Sequence, residues 1–218
     1  MNATATGTIK DRRTAVIQTA IDIARPAEVV FGYCSDHTNE IEWNPAMRRV
    51  AKITGGPVGA GTRYEMEFLP GRPMIAECVR FDAPICWAVA ASGSGMRSWF
   101  SGRVTAVPAG ARLEFRMEIE PDGLLRAALP LLRRRLPRDL ARDIAIVKAR
   151  LEGPVEPRPP GPDLAARGPE ATLRAIRLPT RWPGSASRRA WRRRCTPASP
   201  GDRTAARASP PQWWRRRS

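Results

Sequence analysis

Chemically versatile side chains are scarce in this chain. Its 218 residues include one histidine, His37, and two tyrosines, Tyr33 and Tyr64. Four cysteines (Cys34, Cys78, Cys86, Cys195) show no C-x-x-C spacing. A single imidazole and scattered thiols give no basis for a Cys/His metal site, and no cofactor is expected. Neither a Ser/His/Asp nor a Cys/His arrangement is present, which removes the usual hydrolase readings. No apolar run approaches the ~18 residues that a membrane helix needs. The segment from Met1 to Arg13 is polar and lacks the apolar stretch of a signal peptide, so the cytoplasm is the expected compartment, with thiols reduced. Cys78 and Cys86 flank an expected hairpin turn, where a disulfide is geometrically conceivable but disfavoured in that compartment.

Apolar side chains are missing from one part of the chain. After Gly153 the Leu, Ile, Val and Phe residues are Val155, Leu164, Leu173, Ile176 and Leu178, five in 65 positions, alongside 12 of the 22 prolines. Such a segment cannot bury enough surface to offset about 1–2 kcal/mol of chain entropy per residue. We therefore expect a flexible N-terminus over 1–13, one domain over 14–153 and a disordered Arg/Pro-rich tail over 154–218. The charge divides likewise. The tail has 15 Arg, no Lys and four acids, a net of +11, leaving +5 of the total +16 for the rest. The strongly basic balance thus says little about the domain. Basic runs interleaved with tryptophan, such as Arg188–Arg194 and Trp213–Arg217, could meet nucleic acid or anionic headgroups through charge and stacking. Against that, 34 Arg to three Lys suggests GC-rich coding, and the tail reads as a shifted-frame or nonfunctional extension. No specific nucleic-acid partner is expected, and nothing specifies an oligomeric state.

Within the domain, Thr14–Ile23 alternates as a strand. Arg25-Pro26-Ala27-Glu28 opens a short helical pattern (Val29, Val30, Phe31, Tyr33), and the block closes on Glu42-Trp43-Asn44-Pro45. Strands are then expected over 47–53, 62–69, 74–81, 85–91, 96–107 and from about 111 to 120, separated by Gly- and Pro-rich turns. The clearest alternate Tyr64, Met66 and Phe68 with Arg63, Glu65 and Glu67, and Leu113, Phe115, Met117 and Ile119 with Arg112, Glu114, Arg116 and Glu118.

The period then lengthens to about 3.6. Leu125, Leu129, Leu132, Leu136, Leu140, Ile144, Val147 and Leu151 form one apolar stripe between a possible cap at Asp122 and a stop at Gly153. Pro130 and Pro137 should kink or break that helix. The expected fold class is α+β: a curved antiparallel sheet of about seven strands around a long C-terminal helix, with a cavity between them.

The element order, the Pro26 helix start, the Trp43-Asn44-Pro45 turn and the Leu/Arg-rich last helix ending in Lys148 and Leu151-Glu152 carry a resemblance. Residues 14–152 resemble the START-like (SRPBCC) superfamily, in particular its polyketide cyclase/dehydrase and lipid-transport family. The resemblance implies a helix-grip fold and a hydrophobic small-molecule partner, polyketide-like, lipid or isoprenoid. It implies no invariant catalytic motif. Family members often have Asp-Pro where this chain has Asp36-His37.

Candidate ligand-binding residues are Trp43, Tyr64, Met66, Phe68, Trp87, Trp99, Phe115, Met117, Leu125, Leu129 and Leu132. Each could equally be core. Trp43 is expected to plug one end of the cavity. Arg97, Arg103, Arg116, Glu65, Glu67 and Glu77 could position a polar group, although alternation puts most of them on the wet face. Catalytic residues are unknown, with Tyr64 the best acid/base candidate because its hydroxyl can donate to a carbonyl oxygen. His37, in the polar stretch Ser35–Asn39, reads as a surface or capping residue. The expected function is binding of a hydrophobic or aromatic molecule in an internal cavity. The alternative is a polyketide cyclase/dehydratase that acts by positioning its substrate in that cavity.

Overall fold

The computed structural model describes residues 4–11, 14–69, 71, 73–93 and 95–154. The proposed tail from residue 155 onward lies outside them. In chain order the elements are β1 (Thr4–Asp11), β2 (Thr14–Ile23), α1 (Ala27–Ser35), a 3-10 turn (His37–Asn39), α2 (Glu40–Trp43), β3 (Met47–Lys52), β4 (Arg63–Phe68), β5 (Met74–Asp82), β6 (Cys86–Gly93), β7 (Met96–Val107), β8 (Gly110–Pro121), a second 3-10 turn (Gly123–Ala128) and α3 (Leu129–Glu152). The expected seven strands are β2 to β8. An eighth, β1, pairs with β2 along the edge, so part of the segment read as a flexible N-terminus is a strand. Composition could not reveal it, because an edge strand on a polar segment carries little apolar pattern.

The antiparallel sheet runs β1-β2-β8-β7-β6-β5-β4-β3. Strands β3 to β8 follow one another as neighbours, through turns except for the longer loop over 53–62 between β3 and β4. Between β2 and β3 the chain instead crosses the sheet as α1 and α2, which cover the concave face together with α3. The outer face carries cross-strand ion pairs: Arg48 with Glu67, Arg49 with Glu65 and Arg63 with Glu77.

Helix α3 lies along β2. Near its start, Arg133 Nη2 donates to Thr14 O at 3.0 Å, and near its end Lys148 Nζ donates to Asp22 O at 2.7 Å. Its stripe buries Leu129, Leu140, Ile144 and Val147. Pro130 falls in the first helical turn, where a missing N–H costs no intrahelical bond. The expected break is the change from 3-10 to α geometry just before it, and Pro137 lies within a continuous helix. Asp122 makes no side-chain cap. Gly153 ends the helix, but with φ of −69°, so its stop does not use the left-handed conformation reserved for glycine.

Candidate functional site

Strand register fixes which side chains share the concave face, because directly paired residues point the same way. One row across the sheet is Trp87, Gly102 and Phe115. The next is Cys78, Val89, Phe100, Met117 and Ile17. A third is Tyr64, Ala76, Ala91, Ser98, Ile119 and Ala15, and a fourth is Met66, Met74, Gly93 and Met96. Tyr64 is therefore flanked along its row by two alanines and a serine, small side chains that set the sheet surface back beside its ring. The fourth row supplies methionines, whose flexible thioethers adapt to irregular shapes.

An aromatic cluster fills the centre. Trp87 meets Phe31 of α1 edge-on at 5.5 Å and Phe115 at 6.3 Å between ring centroids. Phe115 continues to Phe100 at 5.0 Å and to Trp43 of α2 at 5.7 Å. Gly102 is required opposite Trp87: a Cβ there would fall 2.1 Å from Trp87 Cη2.

The side chain that sequence reading undervalued is His37. It is buried, 2% exposed, at the 3-10 turn between α1 and α2, with its ring 5.5 Å from Tyr64 and 5.7 Å from Phe100. Its Nδ1 lies 2.9 Å from Glu40 Oε2. Glu40 is itself buried, and its Oε1 accepts from Asn44 Nδ2 at 2.9 Å. The orientation of the Asn44 amide is set in turn, since its Oδ1 accepts from the Ala46 backbone N–H at 3.1 Å. A backbone amide can only donate, so the direction of the whole chain follows: Ala46 N–H to Asn44, and Asn44 to Glu40. An ionised Glu40 carboxylate accepts Nδ1–H of His37, so Nε2 is the ring nitrogen that this chain of hydrogen bonds does not use.

That Nε2 is buried with no protein hydrogen-bond partner among the described residues. So are Tyr64 Oη, Trp43 Nε1, Trp87 Nε1 and Thr19 Oγ1. Burial pushes the Tyr64 hydroxyl above the ordinary phenol range, and the Asp36 carboxylate adds to the rise. The nearby His37 backbone amide offsets part of it without reaching hydrogen-bond geometry. Tyr64 is thus a neutral O–H donor at any ordinary pH. Behind Glu40, Asp143 of α3 is 6% exposed. Burial raises its carboxyl to about 6, Arg142 opposes the rise, and Glu40 and Asp139 reinforce it.

The sequence candidates divide by strand phase. Trp43, Tyr64, Met66, Trp87, Phe115 and Leu129 are buried in the common core, with Phe68 and Met117 partly buried against it. Leu132 is half-buried on α3, and Leu125 sits at the rim, 39% exposed, packed on the Gly95 turn. Trp99 does not join them. It pairs in register with Ala90 and Glu118, so it stands on the outer face. The sequence showed β7 as a strand without showing which of its two residue sets faced inward. Arg97, Arg103, Arg116, Glu65, Glu67 and Glu77 share that outer face by register, where Arg97 pairs with Glu120 and Arg116 with Glu118. Cys78 points inward and Cys86 outward, so the considered disulfide does not form.

Solved structures of similar fold include the di-domain ARO/CYC protein BexL of the BE-7585A biosynthetic pathway, at 13% identity and a TM-score of 0.54 over 67% of this chain and 52% of that one. StfQ, the di-domain ARO/CYC of the steffimycin pathway, aligns at 14% identity and 0.52 over 65% and 52%. A START superfamily protein from Mycobacterium smegmatis aligns at 11% and 0.53 over 63% and 97%. No curated protein matches the chain in sequence. The family described as polyketide cyclase/dehydrase and lipid transport matches residues 14–152, which are the strands β2 to β8, the three helices and the buried His37–Glu40 pair, and the chain belongs to that family.

Proposed function

We propose that residues 14–152 bind a hydrophobic or aromatic small molecule between the concave sheet face and α3, with a ligand carbonyl facing Tyr64 Oη. The observation that carries this reading is a set of polar atoms with no protein partner, Tyr64 Oη and His37 Nε2 among them, inside an otherwise aromatic interior. A buried donor left unpaired costs about 1–3 kcal/mol, which a polar ligand atom returns on binding. Five methionines, Met47, Met66, Met74, Met96 and Met117, belong to or pack on this interior and let it take more than one ligand outline. Unbridged cysteines at positions 34, 78 and 86 accord with a reducing compartment such as the cytoplasm.

The test is calorimetric titration of the full chain with 1-tetralone and with tetralin, its hydrocarbon counterpart. The ketone should bind about tenfold more tightly, and Tyr64→Phe should abolish that preference. Equal affinities in the parent chain would defeat the reading. A second reading, cyclase/dehydratase action on a polyketone held in the same place, is favoured over simple carriage by the presence of ionisable side chains in the interior.

A further inference from the structure

We propose that His37 is a general base, aimed by Glu40, that removes a proton from a carbon next to the ligand carbonyl while Tyr64 holds the carbonyl oxygen; this rests on the binding mode proposed above. The geometry contains the three parts such a step needs. His37 Nε2 is buried beside the Tyr64 and Phe100 rings and is not engaged by any described protein group, and it holds the lone pair when Nδ1–H donates to Glu40. Glu40 holds the opposite nitrogen at 2.9 Å and would stabilise the imidazolium once formed. Tyr64, with its ring 5.5 Å from that of His37, presents a hydroxyl that burial keeps protonated.

The step balances without any co-reactant. Nε2 takes the proton, the C–H electron pair becomes the carbon–carbon π bond of an enolate, and the carbonyl π pair moves to the oxygen facing Tyr64 Oη–H. In a chain with a second carbonyl, the enolate carbon attacks that carbonyl carbon. One carbon–carbon bond forms, and the new alkoxide recovers the proton from His37 Nε2. The net reaction is an intramolecular aldol closure, an isomerisation that returns imidazole and phenol to their starting states. Pre-positioning of the two carbonyls by the concave face would supply the rest of the acceleration.

The hydrogen-bond direction predicts how Glu40→Gln acts. Asn44 Nδ2 must keep donating to position 40, so it retains the single amide oxygen of the glutamine. The glutamine NH₂ then faces His37 Nδ1, which must accept, and the imidazole proton moves to Nε2. The isosteric change removes the base by reversing its tautomer.

Two measurements on the untagged full chain test the proposal. Because His37 is the only histidine, nitrogen-15 NMR at about pH 8 reports its tautomer without assignment. We expect Nδ1–H in the parent protein and Nε2–H in Glu40→Gln, and Nε2–H in the parent would overturn the proposal whatever any variant does. Second, NMR follows deuterium exchange at the α-carbon of 1-tetralone. The parent chain should accelerate it, and Glu40→Gln and His37→Gln should each lose about 100-fold of that acceleration while binding the ketone within about threefold of the parent. Binding without accelerated exchange, or exchange unchanged in folded Glu40→Gln, sinks the base and leaves the binding site standing. Failure of 1-tetralone to bind removes the binding mode and the base together.

Discussion

Two regions of this domain treat their polar groups in opposite ways. Where the second half of α3 meets the end of β2, polar groups at the solvent edge pair with one another: Glu152 accepts from the Ala24 amide at 2.6 Å and from Lys148 at 2.6 Å, Lys148 also donates to Asp22 O, and Arg25 Nε donates to Leu151 O at 2.7 Å. Beneath them Ile144 and Val147 are fully buried. Under α1 and α2, by contrast, His37, Tyr64, Trp43 and Trp87 each bury a polar atom that no described protein group satisfies. The first region is arranged for stability alone. The second keeps its hydrogen-bonding capacity unspent, at a cost in stability of about 1–3 kcal/mol per unpaired group, and that capacity is what a ligand or substrate can use.

Four predictions, read on five substitutions, break or sharpen this contrast. The largest effect is expected from Trp87→Ala, which empties the centre of the aromatic cluster facing Gly102; urea unfolding should show a loss of about 3–5 kcal/mol. A smaller loss would mean that the cluster collapses around the gap and is not a rigid wall. Next, Ile144→Ala in the paired seam should cost about 2–4 kcal/mol, whereas Leu131→Ala, at a position 56% exposed near the helix start, should cost less than about 0.5 kcal/mol. Equal losses at the two positions would show that burial against β2 does not set the difference between them.

The third concerns pH. The folded-state carboxyl of Asp143 is raised from 3.8 to about 6, so between those values the native state holds a proton that the unfolded chain releases. Its contribution is complete below the unfolded value and fades as pH rises through about 6, a decline of order 3 kcal/mol. Asp143→Asn should flatten stability over that window, as read by thermal melts across a pH series; an unaltered slope would show that another group sets it. The smallest effect is the most diagnostic. Tyr64→Phe removes a hydroxyl that no protein group uses, so stability should stay within about 0.5 kcal/mol of the parent or rise. A loss near 2 kcal/mol, measured by the same denaturant titration, would show that the hydroxyl is structural and the contrast false.

Legibility in the sequence followed the same line between patterned and unpatterned features. Alternation at Tyr64–Phe68 and Leu113–Ile119 and the stripe from Leu129 to Val147 could be read because strand and helix periods project directly onto buried faces. Pro26 and the Trp43-Asn44-Pro45 turn added the crossing helices. Trp99 was misplaced because β7 carries apolar residues in both phases. His37 was undervalued because its neighbours Ser35, Asp36, Thr38 and Asn39 are polar, and polarity reads as exposure. Two signals pointed the other way: the His-x-x-Glu spacing to Glu40, which puts both side chains on one side of a tight helical turn, and a histidine where the family often has proline.

The sequence by itself determined the order of the elements from β2 to α3, the apolar faces of the clearly alternating strands and of α3, and the likeness to a helix-grip domain, since these depend on local periodicity and on turn chemistry. Only the tertiary structure decided which polar atoms end up inside without partners. That outcome depends on β4, β7, α1 and α2 converging from positions distant in the chain, so that His37 and Tyr64, 27 residues apart in the sequence, come to share one dry interior. Hydrogen-bond satisfaction is a property of that convergence, and no window of neighbouring residues contains it.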